Sequence, residues 1–144
     1  MAMDIYIIMT PGTEPDVDFL NRQSNNLELG LLFADDPRPT DADGEVSLTF
    51  QGETSGFRMT RVADTEALLS SLPAYAPGLP ESPTVYHIRF GYAHFSPVSA
   101  YHTAAIFSTL DNVVVYETQN NGYKDTTQLI MIGKQMYDSL YRHN

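Results

Sequence analysis

The sequence contains no cysteine, no tryptophan, few cations and no long apolar run. Without cysteine there is no disulfide, no zinc–thiolate site, no iron–sulfur cluster and no thiol nucleophile. Eight Lys and Arg stand against eighteen Asp and Glu, a formal charge of −10. That balance argues against nucleic acid as a ligand, because phosphate binding needs a basic footprint. No stretch approaches the roughly 18 apolar residues of a spanning helix, so no membrane association is expected. Met1-Ala2-Met3-Asp4 carries no basic residue, and the apolar run that follows stops at Pro11-Gly12. This does not read as a secretory signal, and a cytoplasmic location is expected. The G-x-S-x-G elbow and the G-x-G-x-x-G phosphate loop are also missing.

What is present is a chain of 144 residues, 42% apolar and 18% charged. A chain of this length and composition is expected to form a single domain over residues 1–144 with its own core. The charge is unevenly placed. Residues 1–66 hold thirteen acids and four arginines, a balance of −9, and residues 67–144 hold the remaining −1.

Met3 to Met9 reads as a buried strand. Thr13-Glu14-Pro15-Asp16 reads as a helix start with Thr13 as cap, and Asn25-Asn26 as its end. Leu27 to Phe33 predicts a second strand. An acidic loop with two prolines, residues 34–44, then leads into Glu45 to Gln51, where Val46, Leu48 and Phe50 alternate to one side. With Gly52 to Gly56 as turn, Phe57 to Val62 returns as the second arm of a hairpin. Asp64 or Thr65 caps a short helix through Leu72. Residues 73–83 hold four prolines and read as a stiff crossover loop within the domain.

Val85 to Phe90 predicts a strand with Tyr86, Ile88 and Phe90 on one face and His87 and Arg89 on the other. Ser96-Pro97 signals a helix start, with Ser96 as N-cap and the helix running to about Leu110. Val113 to Tyr116 is a continuous apolar strand, as expected of an interior position. Asn120-Asn121-Gly122 reads as a turn, and Asp125 with Gln128 as the capping box of a last helix. The element order βαβββα–βαβα predicts an α+β fold with helices mainly on one face. The sheet is expected to be mixed, with a parallel pair formed by the last two strands.

Asp41-Ala42-Asp43-Gly44 matches positions three, five and six of a calcium loop. Positions one and twelve would be Pro39 and Phe50, which supply no carboxylate, so no EF-hand is expected. No other metal or cofactor is expected. Hydrolytic chemistry would draw on His94, His102 and Glu117, with Ser99 three residues before His102 on the helix. Gly91 to Ser96, between a strand and a helix, offers a place where an anion can dock, but carries no phosphate-loop spacing. The last helix, with Met131, Met136, Tyr137, Leu140 and Tyr141, is expected to dock on the sheet. Its alternative use is a homodimer contact.

The strand Tyr86-His87-Ile88-Arg89-Phe90, the helix Ser99 to Leu110 and the strand Val113 to Gln119 together follow a plan that resembles small bacterial immunity proteins. These are the partners of contact-dependent and type VI secreted toxins, and the likeness covers roughly the last 60 residues. It implies a stoichiometric inhibitor rather than a catalyst, with a basic toxin domain as partner. The concentrated negative charge fits such a role, since opposite charge speeds encounter and rejects wrong partners. The candidate contact residues are Asp35, Asp36, Asp41, Asp43, Glu45 and Glu53. The alternatives are a small hydrolase using His102 and Glu117, and an oligomerising module.

Overall fold

The computed structural model describes residues 3–141. The order of elements is β1 (Met3–Met9), α1 (Val17–Asn26), β2 (Leu31–Phe33), α2 (Pro39–Ala42), β3 (Gly44–Phe50), β4 (Glu53–Arg61), α3 (Thr65–Ser71), β5 (Thr84–Phe90), α4 (Ser96–Ser108), β6 (Val114–Glu117), β7 (Gly122–Lys124) and α5 (Thr126–Tyr141). The strands form one open sheet in the order β2-β3-β4-β5-β1-β6-β7. The class is α+β, in a single compact domain.

Each neighbouring pair of strands is antiparallel. The expected parallel pair is therefore corrected. β5 and β6 do run in the same direction, joined through α4, but β1 lies between them and pairs with both. The first strand of the chain thus completes a split β-α-β unit formed by the second half. Its side chains explain the central place. Ile5, Ile7, Ile8 and Met9 are wholly buried, each contributing about 1.5–3 kcal/mol of apolar burial.

The β3–β4 hairpin turns tightly at Gln51-Gly52, with φ of 50° and 83°. Positive φ at both central residues suits the right-handed twist of the arms, so Gly52 to Gly56 is mostly strand rather than turn. Val46, Leu48, Phe50, Phe57 and Met59 point to the core as the alternation requires. β2 is shorter than its apolar run, and its outer edge is closed by α1. Ser24 Oγ accepts from the Leu31 N–H at 2.9 Å, and Asn21 Oδ1 accepts from the Phe33 N–H at 2.8 Å. Two helix side chains thus stand in for a neighbouring strand and block edge pairing.

α4 is buried along nearly its whole length, from Ser96 to Phe107. One side rests on β1, β4, β5 and β6, and α5 covers the other. The expected docking of α5 on the sheet is therefore replaced by docking on α4. The two helices approach closely at Gly133, where an added Cβ would stand 2.6 Å from His102 Cδ2. The α5 capping box forms as expected, with reciprocal bonds of 2.8 and 2.9 Å between Asp125 and Gln128. Two other caps are corrected. Asp16, not Thr13, caps α1 by accepting from the Phe19 N–H, and Phe95 rather than Ser96 is the N-cap of α4.

The 73–83 connection is tied to the far edge of the sheet. Tyr123 of β7 donates to the Pro73 oxygen at 2.6 Å, and Tyr75 packs on the Tyr123 ring. A chain joining adjacent strands β4 and β5 therefore reaches past β1 and β6 to the β7 edge and back.

Candidate functional site

The six candidate acids do not form one surface. Asp35 and Asp36 lie in the connection after β2, and Asp41 on α2. With Asp16 and Asp18 from the start of α1 they surround a depression of about 420 Å³. Arg38 is its one cation, bound to Asp41 at 2.7 Å. A second depression of about 830 Å³ begins at Asp18 and runs along α1 past Arg22 and Glu28 to the exposed Leu32. The other three acids lie elsewhere. Asp43, at the left-handed end of α2, lines a separate depression with Arg61. Glu45 pairs with Arg58 at 3.5 Å on the sheet, and Glu53 is exposed beside the hairpin turn.

Asp16 and Asp18 escaped the sequence reading because helix-start acids have a sufficient local explanation in the helix dipole. Their position beside Asp35 and Asp36 depends on α1 closing the β2 edge, which no local pattern announces.

The hydrolytic set is not brought together. Glu117 is fully buried at the end of β6. Tyr101 donates to its Oε1 at 2.6 Å, the Asn120 N–H donates to its Oε2 at 3.0 Å, and Lys124 Nζ stands 4.0 Å away. Burial, reinforced by the bond to Glu117, holds the Tyr101 phenol protonated well above its usual range. His102 is the next residue on the helix and points the other way, into the α4–α5 contact, as the helical rotation of about 100° per residue requires. It is 3% exposed, and neither ring nitrogen has a hydrogen-bond partner of good geometry. Burial lowers its pKa from 6.5 to about 4, although the backbone at Ile130 and Leu29 offsets part of this. Ser99 shares a 2.7 Å hydrogen bond with Ser55 rather than with His102, and His94 is exposed in the loop before α4.

The sheet face away from α4 carries the other concentration of functional groups. His87 Nε2 meets Asp4 Oδ1 at 2.6 Å, and Arg89 Nε lies 3.2 Å from the same oxygen. The Tyr6 ring stacks on His87 with centroids 4.7 Å apart. Burial first, and then the Asp4 charge, raises the Tyr6 pKa. The strand alternation placed His87 and Arg89 on one face. Asp4 was not distinguished because a continuous apolar strand gives no signal for its two faces.

Among the described residues, no group of three or more His, Asp or Glu is arranged to hold a metal ion, and no helix is long and apolar enough to cross a membrane. Comparison with known proteins finds no matching family model, curated protein or solved structure.

Proposed function

We propose that the chain is a stoichiometric binding protein of the immunity type, acting in the bacterial cytoplasm by covering a basic surface or active site of a toxin domain. The observation that carries this reading is the convergence of Asp16, Asp18, Asp35 and Asp36 around one depression. No cation forms an ion pair with any of these four among the described residues. Three of the six arginines are paired with other acids, Arg38 with Asp41, Arg58 with Glu45 and Arg89 with Asp4, and Arg22, one helical turn from Asp18, forms no ion pair with it. The result is a surface of unneutralised carboxylates on a helix end and a proline-bounded loop. Such a surface steers a cationic partner at long range and loses little conformational freedom on docking.

The discriminating experiment uses the product of the adjoining gene. The two proteins are mixed and the complex is sized, and the toxicity of that product is measured with and without the chain. A one-to-one complex with loss of toxicity is expected. A partner that is not basic, or the absence of any complex, would remove the proposal.

A further inference from the structure

Four charged residues form a row across the sheet face away from α4. Glu45 stands opposite Arg58, Arg58 opposite Arg89, and Arg89 opposite Asp4, on β3, β4, β5 and β1. The acids are at the two ends and the cations are in the middle. Each acid holds its neighbour only loosely, at 3.5 Å for Glu45 and 3.2 Å for Asp4. The two arginines, each more than half exposed, face one another across adjacent strands. Like charges directly opposite in a sheet are unfavourable unless a counter-charge bridges them.

The arginines stand where the sheet opens. β5 ends at Phe90, while β4 begins far earlier, at Glu53, so Thr54 and Gly56 have no β5 partner. The resulting notch, between β4 and the loop from Gly91 to Phe95, has a volume of about 430 Å³. Glu45, Arg58, Arg89, His94, Gly56 and Ser96 all contribute to its lining. Its inner wall is closed by Ser96, whose hydroxyl donates to the Gly56 oxygen at 2.6 Å. Gly56 cannot be replaced by a larger residue, because a Cβ there would stand 2.7 Å from the Val46 oxygen.

We propose that this notch binds the oxyanion of a small molecule, a phosphate or carboxylate group bridging Arg58 and Arg89. Guanidinium forks match both groups bidentately, and the volume is that of a small-ligand pocket. The α4 N-terminus, which reaches the notch at Ser96, has no side-chain cap and adds a minor favourable field there. Glu45 opposes the ligand, and binding displaces its long contact with Arg58. The net charge of −10 repels any anion, so saturable binding of one requires a local arrangement of this kind. The proposal is independent of the acidic face and of the partner it engages.

The test is an amide-detected NMR titration at constant ionic strength and pH 7, with inorganic phosphate in one arm and acetate in the other. Saturable shifts at Gly56, Gly91 and His94 are expected in at least one arm. Saturation by phosphate assigns the phosphate class, and saturation by acetate alone assigns the carboxylate class. The Arg58→Gln/Arg89→Gln double variant should bind tenfold or more weakly, Glu45→Gln should bind more tightly, and Arg22→Gln should be unchanged. The absence of saturable shifts in both arms, or shifts that survive in the double variant, would overturn the proposal.

Discussion

Acidification should destabilise the fold through His102. The ring is buried between α4 and α5, without a well-aligned hydrogen-bond partner for either nitrogen, so a charge there would be poorly compensated. Lys134 on α5 lowers the His102 pKa further, and the only opposing contributions are backbone groups at Ile130 and Leu29. The pKa falls from 6.5 to about 4 in the folded chain. Between these values the unfolded chain binds a proton that the native chain refuses. The contribution is complete above pH 6.5 and is lost as the pH falls to about 4. The loss by pH 4 is about 3 kcal/mol, a large share of the roughly 5–15 kcal/mol that a domain commands. Urea denaturation followed by circular dichroism at a series of pH values reads the effect directly. His102→Leu removes the titration and keeps an apolar group of similar size. The stability difference between wild type and variant should therefore shift by about 3 kcal/mol between pH 7 and pH 4, which cancels the carboxylate titrations common to both. Parallel pH profiles would refute the reasoning. A His102 imidazole NMR signal titrating near 6.5 in the native wild-type chain would refute it without any variant.

Four substitutions probe the packing. Val115 is 1% exposed and faces the core, whereas Val114 is only partly buried. Val115→Asp should abolish cooperative melting and Val114→Asp should not. Gly133→Ala puts a Cβ 2.6–2.7 Å from His102 ring atoms, and thermal denaturation should show a loss of about 1–3 kcal/mol. Tyr101→Phe removes the donor to the buried Glu117 carboxylate at 2.6 Å. A loss of about 1–3 kcal/mol in chemical denaturation is expected, whereas an unchanged midpoint would mean that Glu117 is satisfied without the phenol.

The elements legible in the sequence were those with a local cause. The alternation Val46, Leu48, Phe50 and the reciprocal Asp125–Gln128 cap each contain their own explanation, and both are formed. What was not legible depends on distant chain. Val113 to Tyr116 reads as apolar and interior, but nothing in it says that its neighbour is β1 rather than β5. β7 is three residues long and owes its place to pairing with β6 rather than to its own pattern. The short α2 sits in an acidic loop whose composition reads as turn. The candidate site divides in the same way. The acidic half was evident as a charge balance, but its partition into a converging group and three separated acids is set by α1 and the hairpin. His102 and Glu117 came within range by sequence order, and the helix turned them apart.

The central claim is that the acidic face of α1 and the 35–41 connection steers a basic protein partner. It is tested most directly by the association rate with the adjoining gene's product, measured at ionic strengths on either side of about 0.1 M, where the screening length is about 10 Å. The variant replaces Asp16, Asp18, Asp35 and Asp36 with Asn, which keeps the α1 cap and disturbs no buried side chain. Wild-type association should slow steeply as salt rises, and the variant should associate about tenfold more slowly at low salt, with the two rates converging at high salt. Equal rates for wild type and variant at both ionic strengths would contradict the account.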